Sequence, residues 1–236
     1  MSKRIDTKWG MLFCNENQPN YYGSNHAHII DECVQPKPVI DEVINYYQSK
    51  KIIPRFYIYN IENQQNLITE LKTRNFRYEE LVSPVQLWNN RVVEIQNNKR
   101  VTIEKVTKEN YQEALDIESS IKEFGGKESI EKVYNEQFNH SSFTHYLLRF
   151  DGVACSTACI FEDGEQARME SVATIEEFRG RGLIGQVIQF IQEVINRGIK
   201  KLWVFPINES IEKVKVWISN SKKTNNGTLI FKWKKY

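Results

Sequence analysis

The sequence predicts an α+β protein, with helices flanking a central mixed, mostly antiparallel sheet, and it predicts a second, smaller α/β domain in the amino-terminal part. Three observations carry this. A strand, a glycine-rich loop and an amphipathic helix follow one another between Met169 and Arg197. Asp151-Gly152 and Asp163-Gly164 each separate two runs rich in apolar residues, which is a hairpin signal. The order helix–strand–helix–strand that begins near Lys37 recurs from Leu183 onward, and recurrence at such a distance suggests a repeated half-domain. Plain alternation of helices and strands is the competing account of that recurrence.

Taken in order, residues 1–36 show little periodicity. Pro19 to Asn25 is rich in turn formers, and His26 and His28 alternate with Ala27 and Ile29 as on a short strand. From Lys37 the pattern clears. Pro38 suits a first helical turn, and Val39, Ile40, Val43, Ile44 and Tyr47 form an apolar face. Pro54 to Tyr59 reads as a strand and Asn63 to Arg74 as a helix; Phe76 to Trp88 reads as extended, with Pro84 marking a bulge or an edge position. Asn89 to Arg100 is polar and aperiodic, which places a joint between domains 1–95 and 100–236. The second domain opens with a strand at 101–106 and a helix at 108–123, which Gly125-Gly126 breaks. A second helix at 129–139 and strands at 143–150, 153–161 and 166–175 follow. Leu183 to Arg197 has apolar residues at helical spacing, 200–205 is a strand, 209–218 a short segment, and 228–234 closes this second domain as its last strand. An asparagine, Asn60 or Asn208, follows the middle strand of each recurrence.

Phosphate chemistry is written into the turn at 179–185. Gly180, Gly182 and Gly185 let backbone approach a ligand closely, the following helix presents its positive end, and Arg179 and Arg181 add charge. These glycines also satisfy the dinucleotide pattern G-x-G-x-x-G. That motif belongs on a first strand with an acid about 20 residues later, whereas here it starts at residue 180 of 236. Arg179-Gly180-Arg181-Gly182 resembles the acyl-CoA pyrophosphate loop, (Gln/Arg)-x-x-Gly-x-(Gly/Ala), of the GNAT superfamily of N-acetyltransferases. Arg179 and Gly182 match; Ile184 stands where Gly or Ala is usual, with Gly185 one place later. Glu170 to Arg179 is also similar to the family's fourth strand and its lead-in.

The resemblance implies a GNAT fold for 100–236 and a degenerate GNAT-like copy for 1–95. It implies acetyl-CoA as co-substrate, with no metal, and direct attack by a primary amine of a small molecule or peptide. Val172, Ala173 and Thr174 would line the pantetheine arm through their backbone, and the amide of Val172 would face the thioester oxygen. The amides of Arg179, Gly180, Arg181, Gly182, Leu183, Ile184 and Gly185 would cradle the pyrophosphate, and Asn208 would bond the pantetheine. Where the family has a tyrosine general acid seven residues after that asparagine, this chain has Lys215, with Trp217, Ser219 and Ser221 nearby. The first copy has Asp31 and Glu32 ahead of its helix and no glycine there, so it is expected to bind no acyl-CoA.

A base is needed to deprotonate the amine. Strand alternation puts residues 170, 172 and 174 on one face, making Glu170 the candidate; an ion-paired or solvated strand glutamate is the alternative, and His140 and His145 rank below it. Cys155 and Cys159 lack a histidine partner in local sequence and read as core, as does the His26/His28 pair as structural histidines. With 32 basic and 30 acidic residues the chain offers no case for nucleic acid. Its start has no secretory character, no apolar run reaches membrane length, and four unclustered cysteines suit a reducing cytoplasm. A cytoplasmic monomer or homodimer is expected. An acyl-CoA-binding protein without turnover is the alternative function.

Overall fold

The computed structural model describes residues 2–82, 86–88, 90–92, 94–121, 127–195, 198–204 and 227–233. It divides into two units, Met1–Ser83 with Asn225–Tyr236, and Pro84–Thr224.

The first unit holds a sheet of six strands: β1 (Lys3–Asp6), β2 (Met11–Cys14), β3 (His26–Ile29), β4 (Arg55–Ile58), β5 (Phe76–Val82) and the carboxy-terminal β12 (Gly227–Trp233). Its order is β1-β2-β3-β4-β12-β5. The first three strands form an antiparallel meander, β3 and β4 run parallel, and β12 is antiparallel to both its neighbours. Parallel strands need a crossover, which helix α1 (Pro36–Ser49) supplies. Two prolines sit in its first turn, where a missing N–H costs nothing. Val39, Ile40, Val43 and Tyr47 of α1 and Leu67, Ile68 and Leu71 of α2 (Gln65–Thr73) are buried against Ala27, Ile29, Phe56 and Ile58 of the sheet. His26 and His28, expected on a strand, stand in β3, and their rings stack on Tyr57 and Tyr59 at 3.9 and 4.3 Å. The meander's first two strands escaped the sequence reading. Each has four residues, and Lys-Arg-Ile-Asp of β1 is largely exposed, so it carries no apolar alternation.

The second unit repeats the scheme. Its strands are β6 (Gln86–Leu87), β7 (Val101–Lys105), β8 (Phe143–Phe150), β9 (Val153–Asp163), β10 (Gln166–Thr174) and β11 (Lys201–Val204), in the order β6-β11-β10-β9-β8-β7. β7 to β10 pair antiparallel. β10 and β11 pair parallel across helix α5 (Leu183–Ile195). Both hairpin signals hold. Asp151 and Gly152 have φ of 50° and 80°, the positive pair that a twisted two-residue hairpin requires. Gly164 has φ of 57° between β9 and β10. One face of this sheet packs on α5, burying Leu148, Ile160, Ala167 and Met169 against Leu183, Val187, Ile188 and Ile191. The other packs on α3 (Tyr111–Ser119) and α4 (Lys127–Phe138), where Leu147 and Ala173 meet Ala114, Ile117, Ile130 and Tyr134. Arg149 of β8 fastens α3 by ion pairs to Glu113, at 2.6 Å, and to Glu104 of β7, at 2.8 Å.

Two expectations about domain limits are corrected. The strand near 228–234 joins the first unit, between β4 and β5, instead of closing the second. The polar stretch after Trp88 is no joint: Trp88 is buried in the second unit's core, and its amide donates to Leu202 O at 2.9 Å. Downstream, the Ile95 amide donates to Gln189 Oε1 and Gln186 Nε2 donates to Gln96 O, so this stretch lies along α5. Its backbone groups are satisfied by side chains, which leaves no trace in hydrophobic periodicity. The segment 209–218 lies outside the described residues.

Candidate active site

The site is built on β10. Its ladder with β9 slips once: Met169 opposes Ile160 and Ser171 opposes Cys159, so Glu170 is an extra residue. Such a bulge inverts the face on which later side chains stand. Ala167 and Met169, and then Val172, lie with the α5 core. Ser171 and Ala173 turn to the α3–α4 side. The alternation expected to put Glu170, Val172 and Thr174 on one face is therefore broken at Glu170. That carboxylate is ion-paired with Arg168, which also lies over the Phe161 ring, and its side chain is 20% exposed.

Past the bulge the backbone settles into a regular ladder. The Ile175 amide donates to Cys155 O of β9 at 3.1 Å. Successive amides of a strand point to opposite edges, so the amides of Val172 and Thr174 point away from β9, toward the β11 side. There the described pairing ends at Met169 and Val204. The carbonyl of Thr174 accepts from Arg179 Nε at 3.0 Å, so the loop arginine caps this strand edge.

After β10 a 3-10 turn (Glu176–Phe178) leads into the glycine loop. Gly180 and Gly182 have φ of 77° and 72°, and a Cβ on either would meet nothing within 4 Å. The loop is thus exposed and faces open space. Two of the seven expected amides are used inside it: Arg179 donates to Glu176 O and Gly185 to Gly182 O. Among the described residues, the amides of Gly180, Arg181, Gly182, Leu183 and Ile184 have no protein acceptor. No acid occupies the first turn of α5, so its positive end is not neutralised locally. The Arg181 guanidinium lies over Phe150 and Phe178, 5.3 and 5.1 Å from the ring centres. Ile184 is 41% exposed at the helix start, beside the free amides. Asn208, Lys215, Trp217, Ser219, Ser221 and Tyr236 lie outside the described residues, as do 122–126 between α3 and α4.

One functional group was missed in the sequence. Glu118, on α3, is 5% exposed and reaches the bulge from the α3 side. Its Oε1 accepts from Ser171 Oγ at 2.9 Å and from Thr157 Oγ1 at 3.3 Å. Burial pushes its carboxyl above the ordinary glutamate range, against the opposing pull of those two hydroxyls. The signal was present: Ala114, Leu115, Ile117 and Ile121 put Glu118 inside the apolar stripe of its helix.

Around it stand Tyr134, His145 and Cys159. His145 Nε2 is 3.5 Å from Cys159 Sγ, and its ring lies 4.4 Å from that of Tyr134. His145 Nδ1 and Tyr134 Oη are buried without a hydrogen-bond partner among the described residues. Desolvation lowers the His145 pKa to about 4, so it is neutral, and burial raises both the Cys159 and Cys155 thiols. Neither cysteine is a ready nucleophile. Among the described residues no cluster of metal-ligating side chains occurs, and no helix is long and apolar enough to cross a membrane.

Residues 109–212 match the model of the acetyltransferase (GNAT) family. No curated protein sequence matches the chain. Among solved structures, a functionally unknown conserved protein from Staphylococcus epidermidis is similar with a TM-score of 0.73 at 13% identity, covering 98% of this chain and 94% of that one. A GCN5-related N-acetyltransferase from Kribbella flavida gives 0.66 at 13% identity, covering 100% and 90%. At that identity the likeness is one of fold, and it extends over the whole chain. In residues 109–212 of its second unit this chain is therefore similar to the acetyltransferase (GNAT) family.

Proposed function

We propose that the protein is an acetyl-CoA-dependent N-acetyltransferase that moves an acetyl group to a primary amine by direct attack in a ternary complex. The observation that carries this reading is the run of five amides, Gly180 to Ile184, that find no acceptor among the described residues at the start of α5, directly after a strand edge whose Val172 and Thr174 amides point away from β9. The fit to a diphosphate is chemical: free N–H donors, a helix dipole and two arginines all favour the same charge. Acetyl-CoA supplies the activated acyl group. Gly180 to Ile184 hold its pyrophosphate, with Arg179 and Arg181 alongside. Val172, Ala173 and Thr174 flank the pantetheine, and Asn208 is proposed to bond it. The amide of Val172 faces the developing oxyanion, where one oriented donor is worth roughly 3–4 kcal/mol. Glu170, at the bulge, takes the amine's proton, directly or through water. The acceptor is a small-molecule or peptide amine, and the protein acts in the cytoplasm as a monomer or homodimer; its four buried free cysteines suit that compartment.

Three measurements test this. Incubation with acetyl-CoA and a broad amine panel releases free CoA thiol in at least one case, and silence across the panel sinks the enzymatic reading. Arg179→Glu weakens acetyl-CoA binding at least tenfold by calorimetry, because it reverses charge at the loop and frees the Thr174 carbonyl; an unchanged Kd removes the loop from the site. Glu170→Gln lowers kcat while leaving that Kd alone. A second reading, acyl-CoA binding without turnover, rests on Lys215 standing where the family has its tyrosine. Tight acetyl-CoA binding with no thiol release selects it.

A further inference from the structure

We infer that Glu118 is a positioning residue for the acyl transfer: by holding Ser171 and Thr157, it locks the bulge of β10 and so sets the direction of the Val172 amide. The inference rests on the function proposed above.

The argument starts from what a bulge leaves undetermined. An extra residue interrupts the ladder, and the strand around it keeps fewer hydrogen bonds to define its path. Here the interruption falls at Glu170, two residues before the amide that is to meet the oxyanion. Ser171 stands between them. Its hydroxyl donates to Glu118 Oε1 at 2.9 Å, and the same oxygen accepts from Thr157 Oγ1 on β9 at 3.3 Å. One buried oxygen therefore ties three elements together at the irregular point: helix α3, strand β9 and strand β10. The helix is itself fixed to β8 and β7 through Arg149, so the tie has a firm anchor.

A buried carboxyl is a costly way to fill an apolar stripe, and an aliphatic side chain of that size would pack with no desolvation penalty. Its retention is explained by the two hydroxyls it satisfies, that of buried Thr157 and that of half-buried Ser171, which would otherwise lose their acceptor. The titratable groups that feel its charge on the other packed elements are Tyr134 of α4 and Cys159 of β9, and His145 of β8 and Glu170 of β10 stand beside Cys159. None of them is a cation that would hold Glu118 as an ion-pair partner. Its work is done as an acceptor, and an acceptor oxygen is present in glutamate, in glutamic acid and in glutamine alike.

That equivalence makes the test sharp. Wild type, Glu118→Gln, Glu118→Ala and Ser171→Ala are compared by acetyl-CoA Kd, kcat, KM for an amine found in the panel, and the pH profile of kcat. Ser171→Ala changes one hydroxyl and keeps the fold accessible should Glu118→Ala prove unstable. Glu118→Ala and Ser171→Ala lower kcat by about tenfold to a hundredfold, the scale of a small misplacement of a catalytic group, with Kd within twofold. Glu118→Gln restores kcat to within about threefold of wild type and leaves the acid limb of the profile in place. Unchanged kcat in both alanine variants overturns the inference. A Glu118→Gln enzyme as impaired as Glu118→Ala overturns it too, because charge or proton transfer would then be the operative property. A readout independent of turnover separates this from the parent proposal: the 15N–1H shift and hydrogen exchange of the Val172 amide change in Ser171→Ala and hold in Glu118→Gln. If no amine is acetylated, the function falls while the lock is still judged on that amide, and an unmoved Val172 amide in Ser171→Ala overturns the lock by itself.

Discussion

His145 is 3% exposed, with one ring nitrogen against a thiol and the other without a hydrogen-bond partner among the described residues. Burial takes a protonated imidazole out of water, and this desolvation lowers its pKa to about 4 from 6.5. The depressed value has a sign. The folded protein binds fewer protons than the unfolded chain between those two values, so stability present above pH 6.5 is lost as pH falls through 4. A shift of that size corresponds to about 3 kcal/mol in all. His145→Phe, which keeps a ring against Tyr134, flattens the decline. Urea unfolding of both proteins at pH 7 and at pH 4.5 checks this; parallel losses would mean that His145 titrates normally. Glu118 acts in the opposite sense. Its raised carboxyl contributes stability below the ordinary glutamate pKa that is lost as pH rises through the folded value. Glu118→Gln therefore gains stability relative to wild type on going from pH 4.5 to 8, and a difference that stays constant over that range would speak against a perturbed carboxyl.

At the scale of elements, the loop before α5 was legible because each of its demands names a residue type. Gly180 and Gly182 occupy the left-handed region, where an L-residue costs on the order of 1–2 kcal/mol. Nothing lies within 4 Å of an added Cβ, so Gly182→Ala pays in backbone strain alone. It weakens acetyl-CoA binding several-fold as the loop relaxes, while Tm falls by only a few degrees; calorimetry and thermal melts check the pair, and an unaltered Kd would show that the loop keeps its shape without glycine. The hairpin at Asp151-Gly152 and the apolar stripe of α5 were legible for the same reason. The bulge at Glu170 was not. It is a relation between β10 and β9, two residues against one, and neither strand's own alternation records it. An unbroken period placed Glu170 with Val172, and one inserted residue undid the pairing of faces. Glu118 was visible as an acid at an apolar position of α3, yet its worth depends on Ser171, 53 residues away.

For the whole molecule, the sequence told that the last strand exists and not where it pairs. The β-branched and aromatic run along 227–233 specifies a strand, and its partners are chosen by strands that lie more than a hundred residues earlier. β12 runs antiparallel to β4 over Leu229–Lys232 and to β5 over Gly227–Trp233, so it bridges two strands that are otherwise unconnected in the sheet. Its removal leaves two open edges inside one sheet, each a row of unpaired backbone groups. A chain ending at Thr224 therefore loses the fold of its first unit, although that unit's helices and most of its apolar core lie within residues 1–82. Limited proteolysis with mass spectrometry reads this directly: cleavage appears within 1–82 in the shortened chain, at sites protected in the full one. A synthetic peptide of residues 225–236, added in excess, restores protection by taking its place between β4 and β5. Protection that survives the truncation would mean that β4 and β5 close on each other, and that the first unit carries its own complete sheet.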